Sequence, residues 1–303
     1  MKRRKALARA VGRAILRAVI LIVRALPFNT SLALGRGLGN LMRMLAKKRY
    51  RVALKNLRIA YGDTITESER HRIARASFQS FGMFMVESIK FGYMSKEEVT
   101  RRVHICNECY EYYKRIEEHG KGALFITGHL GNFEILGRWY TDRDKELFAL
   151  AREARDRGTT NIMAEIRERM GIKVININQS LRPVLAALKR NDAVAIICDQ
   201  NAADVFVPFF GQPTGTVDGP AKIALRTGAP MLFFAGIRDR KGMYHVECNG
   251  LHIPESSGNT QADIERITCE LNRNLEEMIR RHPEQWLWFH DRWKSSPGVG
   301  GTP

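Results

Sequence analysis

The chain predicts an α/β fold: a mixed, mostly parallel sheet flanked by helices, with a basic amphipathic helical segment at its N-terminus. Two patterns after Gly120 carry the sheet. Short apolar runs at 123–127, 147–151, 174–177, 193–198, 231–237 and 244–247 read as strands. Helical spacing at 160–170, 181–189, 219–226 and 262–281 separates most of them, the alternation that builds a sheet covered by helices. The third observation is charge. Residues 1–60 hold sixteen Lys or Arg and no Asp or Glu, the first acid being Asp63, so this stretch supplies nearly all of the +17 net charge.

From the N-terminus onward, the segment between Ala6 and Pro27 carries Val11, Ile15, Leu16, Val19, Ile20, Leu21, Ile22 and Val23. Arg9, Arg13 and Arg17 recur every fourth residue, as along one helical stripe. This is the pattern of a helix lying in a lipid interface with arginines reaching anionic headgroups. The charge-free run 18–23 is too short for a conventional span, although tilt and snorkelling leave a short anchor open. Nucleic acid is not the expected partner, because only Phe28 and Tyr50 interleave with the charge before Tyr61. Arginines also interrupt the apolar stretch and no small-x-small site follows it, which argues against a secretory signal. The next segments, 32–58 and 67–93, read as amphipathic helices joined by a turn at Asp63–Thr64. At 303 residues and 44% hydrophobic content the chain can bury an ample core. Its five cysteines read as reduced thiols. Cys106 and Cys109 form a CxxC, but no second pair supports a zinc site, so no metal is expected.

The run 123–127 ends in Gly128-His129-Leu130-Gly131-Asn132-Phe133-Glu134. Residues five apart on a continuous helix do not share a face, so His129 and Glu134 meet only across irregular backbone, which Gly128 and Gly131 permit. Asn132 is placed to cap a helix beginning at Phe133, with Glu134 in its first turn. The pair then reads as a general base, His129, with an orienting carboxylate, Glu134, and needs neither metal nor covalent nucleophile. His129 is the only histidine with an acid five residues on, and its place at a strand's C-terminal end is where open α/β sheets hold their sites. Leaving it as a satisfied turn histidine is the bland alternative.

From about residue 30 to 295 the chain resembles the bacterial lipid A biosynthesis (lauroyl/myristoyl) acyltransferase family, within the wider His-x4-Asp/Glu glycerolipid acyltransferases. The resemblance rests on Lys55-Asn56-Leu57-Arg58-Ile59-Ala60, on the 128–134 motif, on Cys198-Asp199-Gln200-Asn201, on Val207-Pro208-Phe209-Phe210-Gly211, on the segment 219–230, and on Pro283-Glu284-Gln285-Trp286-Leu287-Trp288-Phe289-His290-Asp291-Arg292-Trp293-Lys294. The sequence departs from the family's Gly-Arg-x-Arg-Ser pattern between Arg152 and Asn178, and Asp291 stands where arginine or asparagine is frequent. Both departures bear on the acceptor lipid.

The resemblance implies a direct acyl transfer with no cofactor: an acyl carrier protein or coenzyme A thioester as donor, and a hydroxyl of a lipid A precursor as acceptor. The place it implies is the cytoplasmic face of the bacterial inner membrane. Residues 1–27 become an interface or anchor helix, 28–295 the acyltransferase domain (helical over 28–118, α/β over 119–295), and 296–303 a flexible tail. The supporting site residues are Arg152 as a phosphate ligand, Asp199 at a strand end, Gly131 and Asn132 in the motif loop, and Phe209, Phe210 and Gly211 at a substrate entrance. Backbone N–H groups of Leu130 to Asn132, or a nearby arginine, are expected to hold the oxyanion. Other lipid acceptors (a lysophospholipid, an ornithine lipid or a glycolipid) share the chemistry. A non-catalytic basic protein that binds membrane or nucleic acid is the remaining alternative.

Overall fold

The structure, a computed structural model, describes residues 2–151, 157–176 and 180–298. Four helices open it: α1 (Lys2–Ala25), α2 (Phe28–Leu45), α3 (Lys47–Tyr61) and α4 (Glu67–Phe91). The expected single helix over 32–58 is two helices, because the backbone leaves helical geometry at Ala46 (φ −93°, ψ 53°) and α3 starts at the next residue. Thr66 caps α4 by accepting the Glu69 N–H, and Glu67 and Glu69 sit in the first turn where the helix dipole favours them. The helices α2 and α4 lie flush: a Cβ on Gly35 would come within 2.8 Å of the Gly82 carbonyl, so only glycine allows this approach.

Next come α5 (Lys96–Arg102), β1 (Val103–Ile105) and α6 (Asn107–His119). The α/β part then runs β2 (Ala123–Thr127), α7 (Ile135–Thr141), β3 (Leu147–Ala151), α8 (Arg157–Arg169), β4 (Ile172–Asn176), α9 (Arg182–Lys189) and β5 (Ala193–Ile197). A hairpin of β6 (Val205–Phe209) and β7 (Gln212–Thr216), then α10 (Gly219–Thr227), β8 (Met231–Arg238), β9 (Tyr244–His252) and α11 (Thr260–Arg281) complete it. Seven strands form one sheet in the order β1-β9-β8-β2-β5-β3-β4, and every neighbouring pair is parallel except β8 with β9. The mixed, mostly parallel sheet flanked by helices is thus the observed fold.

The central strand β2 is buried at all five positions, which is why its sequence is continuously apolar rather than alternating. Its side chains divide between two cores. Leu124 and Ile126 join the α3, α9, α10 and α11 side, with Trp286, Trp288 and Trp293; Ala123 and Phe125 join the α1, α6, α7 and α8 side. Parallel pairing of β2 with β5 sets Thr127 opposite Ile197. The two residues that follow each strand therefore emerge side by side: Gly128-His129 and Cys198-Asp199.

Candidate active site

His129 leaves β2 and turns its ring toward Asp199. The Asp199 Oδ1 lies 2.7 Å from His129 Nδ1, and Asp199 Oδ2 accepts the His129 backbone N–H at 2.7 Å and the Trp286 Nε1–H at 2.9 Å. Gly128 makes room for this carboxylate: a Cβ there would stand 3.1 Å from Asp199 Oδ2 and 2.8 Å from Leu275 Cδ1. Burial alone pushes the Asp199 carboxyl up. The charge and hydrogen bonds of His129, with the indole N–H of Trp286, more than reverse this and bring it down to about 2. Burial likewise pushes His129 down, and Asp199 outweighs it, so the imidazole is held above its ordinary value. With Nδ1–H given to an ionised carboxylate, the ring's free lone pair is on Nε2.

The carboxylate hydrogen-bonded to the His129 ring is therefore Asp199 and not Glu134. Glu134 is held by Arg167 of α8, whose Nε and Nη2 lie 2.8 and 2.7 Å from Oε1. Its Oε2 is buried and has no hydrogen-bond partner among the described residues. The helix after the motif begins at Ile135 and not Phe133, so Asn132 makes a local turn instead of a cap: its Oδ1 accepts the Glu134 N–H at 3.1 Å. Asn132 Nδ2 in turn donates to Glu87 Oε2 at 3.1 Å, and the fully buried Glu87 pairs with Arg238 at 2.9 Å. Burial pushes the Glu87 carboxyl up, against the lowering effect of Arg238.

The backbone donors expected to form an oxyanion hole are already engaged. Leu130 N–H donates to the Gly128 carbonyl at 2.8 Å, Gly131 N–H to Gln285 at 3.1 Å, and Asn132 N–H to Gly236 at 2.7 Å. Gly131 adopts φ +61° and its Cα sits against the Gly236 carbonyl, where a Cβ has no room. The loop is stitched to β8 and to the C-terminal segment, so Gly131 and Asn132 shape the turn and do not face the cavity.

That cavity, about 700 Å³, opens beside His129 at the C-terminal ends of the parallel strands. Its depth is apolar, with Phe125, Gly137, Leu147, Ile172 and Phe234, while Arg167, Lys222 and Arg226 bring positive charge to its wall. Lys222 is paired with Asp218 at 2.6 Å. Volume and lining match a site that buries a chain of carbon and grips a few polar atoms.

The other expected site residues scatter. Phe209 and Phe210 are buried among Trp286, Trp288 and Trp293, with Phe209 stacked on Trp293 at 5.5 Å; they are core, not entrance. Phe210 and Gly211 form the β6–β7 turn with φ of 50° and 72°. Arg152 lies outside the described residues, as do the side chains of Arg9 and Arg13, while Arg17 is exposed on α1. Sequence reading missed Arg167, Trp286 as a donor to Asp199, and the Glu87–Arg238 pair. Arg167, Glu87 and Arg238 lie in none of the quoted motifs, and Trp286, within the 283–294 block, carried no sign of its partner; only the 198–201 block, flanked by an apolar strand, signalled Asp199. No group of acids, histidines or cysteines among the described residues is arranged to hold a metal ion.

Comparison with known proteins agrees with this geometry. A family model described as bacterial lipid A biosynthesis acyltransferase matches residues 1–295. The lipid A biosynthesis palmitoleoyltransferase of Escherichia coli (strain K12) is 26% identical over 279 residues, 90% of this chain and 87% of the relative. The lipid A biosynthesis lauroyltransferase of the same organism is 24% identical over 289 residues, covering 92% and 90%. A phosphatidylinositol mannoside acyltransferase of Mycobacterium tuberculosis (strain ATCC 25618 / H37Rv) is 25% identical over 224 residues, covering 72% and 69%. A histidine–aspartate pair on a parallel sheet beside a deep apolar cavity is thus found in a chain whose whole α/β part is matched, and the protein belongs to the bacterial lipid A biosynthesis acyltransferase family.

Proposed function

We propose that this acyltransferase moves a fatty acyl chain from a thioester, of acyl carrier protein or coenzyme A, to a hydroxyl of a lipid A precursor at the cytoplasmic face of the inner membrane. The hydrogen bond between His129 Nδ1 and Asp199 at the rim of the apolar cavity carries the reading. His129 Nε2 takes the proton of the acceptor hydroxyl as its oxygen attacks the thioester carbonyl. The C–O bond forms, the carbon–sulfur bond breaks, and the departing thiolate receives the proton from the imidazolium. Asp199 positions the ring and stabilises its charged form in the transition state. Arg167 faces the developing oxyanion: Glu134 engages its Nε and Nη2, and the guanidinium lines the cavity beside His129. Glu134 then acts by fixing this arginine, a different task from the one its spacing suggested.

Membrane association through α1 is part of the same proposal. Arg17, Leu21 and Ile22 are exposed on it, and no helix of the described residues is long and apolar enough to cross a membrane. The mycobacterial relative supports a second acceptor class, a phosphoinositol glycolipid. The test is mass spectrometry of products from wild type and His129→Ala, each offered both thioesters and a panel of lipid acceptors. A new ester formed by wild type alone identifies acceptor and donor; equal yields from both proteins would remove His129 from the reaction.

A further inference from the structure

We infer that the corner between α2 and α3 is a second membrane contact, a rigid apolar ridge that inserts into an anionic bilayer independently of α1. On α2, Leu38, Leu41, Met44 and Leu45 are 37, 50, 61 and 77% exposed. At about 100° per residue these four positions fall within roughly a third of a turn, so they form one ridge. Exposure rises steadily toward the end of the helix. There Ala46 breaks the backbone and α3 departs at once, which leaves Leu45 at the apex of a protruding corner.

The opposite face of α2 explains why this ridge cannot turn inward. Leu32, Gly35 and Gly39 are buried, and Gly35 and Gly39 lie directly on the α4 backbone at Gly82 and Phe78. Glycine contacts of this kind set the rotation of the helix, because a Cβ at either position would collide with main-chain atoms that cannot move aside. The ridge is therefore held outward by the packing of its own helix, and its four large side chains remain in water unless something covers them.

Charge identifies the cover. Arg36, Lys47, Lys48, Arg49 and Arg51 are all exposed around the ridge, and none has an acidic partner among the described residues. No Asp or Glu precedes Asp63, so the field there is of one sign. A second copy of the chain would bring like charge to like. A convex ridge also lacks the groove that would receive a partner's helix. An anionic bilayer meets both demands: apolar side chains enter the acyl boundary, and lysine and arginine ends reach lipid phosphates. The inference rests on the ridge and its cations and does not require acyl transfer to occur.

The test uses the full chain with vesicles of phosphatidylethanolamine and phosphatidylglycerol. Met44→Asp/Leu45→Asp is expected to lower vesicle partitioning at least tenfold while leaving transfer to a detergent-dispersed acceptor unchanged. Lys47→Glu/Lys48→Glu is expected to weaken binding and flatten its salt dependence. Met44→Trp supplies a direct readout, because Trp139, Trp286, Trp288 and Trp293 are all buried. Brominated lipid is expected to quench the new tryptophan and leave the native four unquenched. Unchanged partitioning of the aspartate variant, or an unquenched tryptophan on bound protein, would overturn the inference. So would protection of the new tryptophan by acidic acyl carrier protein but not by vesicles. Absence of product with wild type would bear on the catalytic reading alone, since binding and quenching are read without it.

Discussion

Replacing Asp199 by Asn exchanges one carboxylate oxygen for an NH2 group and asks whether His129 is driven by the carboxylate beside it. The carboxylate accepts from His129 Nδ1, from the His129 backbone and from Trp286 Nε1, all between 2.7 and 2.9 Å. An amide has a single acceptor oxygen and can serve only one side of that cluster. Its NH2 must then face a donor or force the ring into the other tautomer, with the proton on Nε2. Losing one charge-assisted bond costs about 1.5–3 kcal/mol, roughly ten- to a hundredfold in rate. Tautomer reversal extends the loss toward about 10⁴-fold, the scale for amidating the carboxylate that orients a histidine base. The expected outcome is a fall of 10²- to 10⁴-fold in kcat with a folded protein. A pH profile separates orientation from misfolding. In wild type, kcat/KM rises with pH as His129 loses its proton through a pKa held above 6.5. Without Asp199, burial and the Arg167 charge push the imidazole down against the smaller raising effect of Glu134, so the rising limb moves to lower pH. Activity within threefold of wild type, or an unmoved limb, refutes the assignment.

Stability supplies a companion measurement on the same pair. Asp199 titrates at about 2 instead of 3.8, so its contribution is present above 3.8 and is lost as pH falls toward 2; the gap is worth about 2 kcal/mol. His129 is raised, so its share is complete below 6.5 and is lost as pH rises through the raised value. Urea unfolding of wild type against Asp199→Asn is expected to show its largest difference between about pH 4 and 6.5, and a flat difference would refute the coupling. Arg167→Met removes the proposed oxyanion donor and is expected to lower kcat by about 10²–10³-fold with little change in KM, as steady-state kinetics will report. Glu87→Ala leaves Arg238 buried without its partner and frees Asn132, a loss of about 3–5 kcal/mol to be read from the urea midpoint; a loss under about 1 kcal/mol contradicts it. Gly137→Leu projects into the apolar depth, where a Cβ already approaches Leu147 Cδ2 at 2.9 Å and Ile172 Cδ1 at 3.0 Å. Product mass spectrometry is expected to show a shorter preferred acyl chain, each excluded methylene being worth about 0.8 kcal/mol of burial.

The parts of this fold that were legible in the sequence share a physical cause. Strands buried on both faces must be short and apolar throughout, so β2 and β8, buried at every position, and β5, buried at three of five, stand out without any pairing information. The helix break at Ala46 has no such mark, because neither glycine nor proline occupies it and packing on α4 decides the turn. The β6–β7 hairpin hides behind Pro208 and Pro213, which face each other in its register and which ordinarily argue against a strand. The site divides in the same way. His129 was visible because a glycine-flanked histidine follows a strand, whereas its true partner is about seventy residues away in sequence. The spacing rule pointed to Glu134, the nearer acid along the chain. Sheet order makes the nearer acid in space Asp199, since adjacent parallel strands end together. That relation becomes readable only once β5 is known to neighbour β2.

The same contrast bears on where the acceptor preference of the proposed reaction is set. Every backbone donor of the 130–132 loop is spent within the protein, and Asp199 is saturated by three donors. Groups that neighbour the base are thus fixed by the fold and offer an incoming acceptor little to adjust. Unspent polar capacity lies instead on the cavity side: Glu134 Oε2 has no partner among the described residues, and Arg167 and Arg226 line the wall. Arg167 on α8 is engaged by Glu134 and committed to the proposed oxyanion, whereas Arg226 stands apart on α10. Changes around Arg226 can alter which headgroup is gripped while leaving the His129–Asp199 geometry and Arg167 intact. In the proposed mechanism, the place to exchange acceptor preference while keeping the His129–Asp199 pair is therefore the cavity wall of α10 around Arg226.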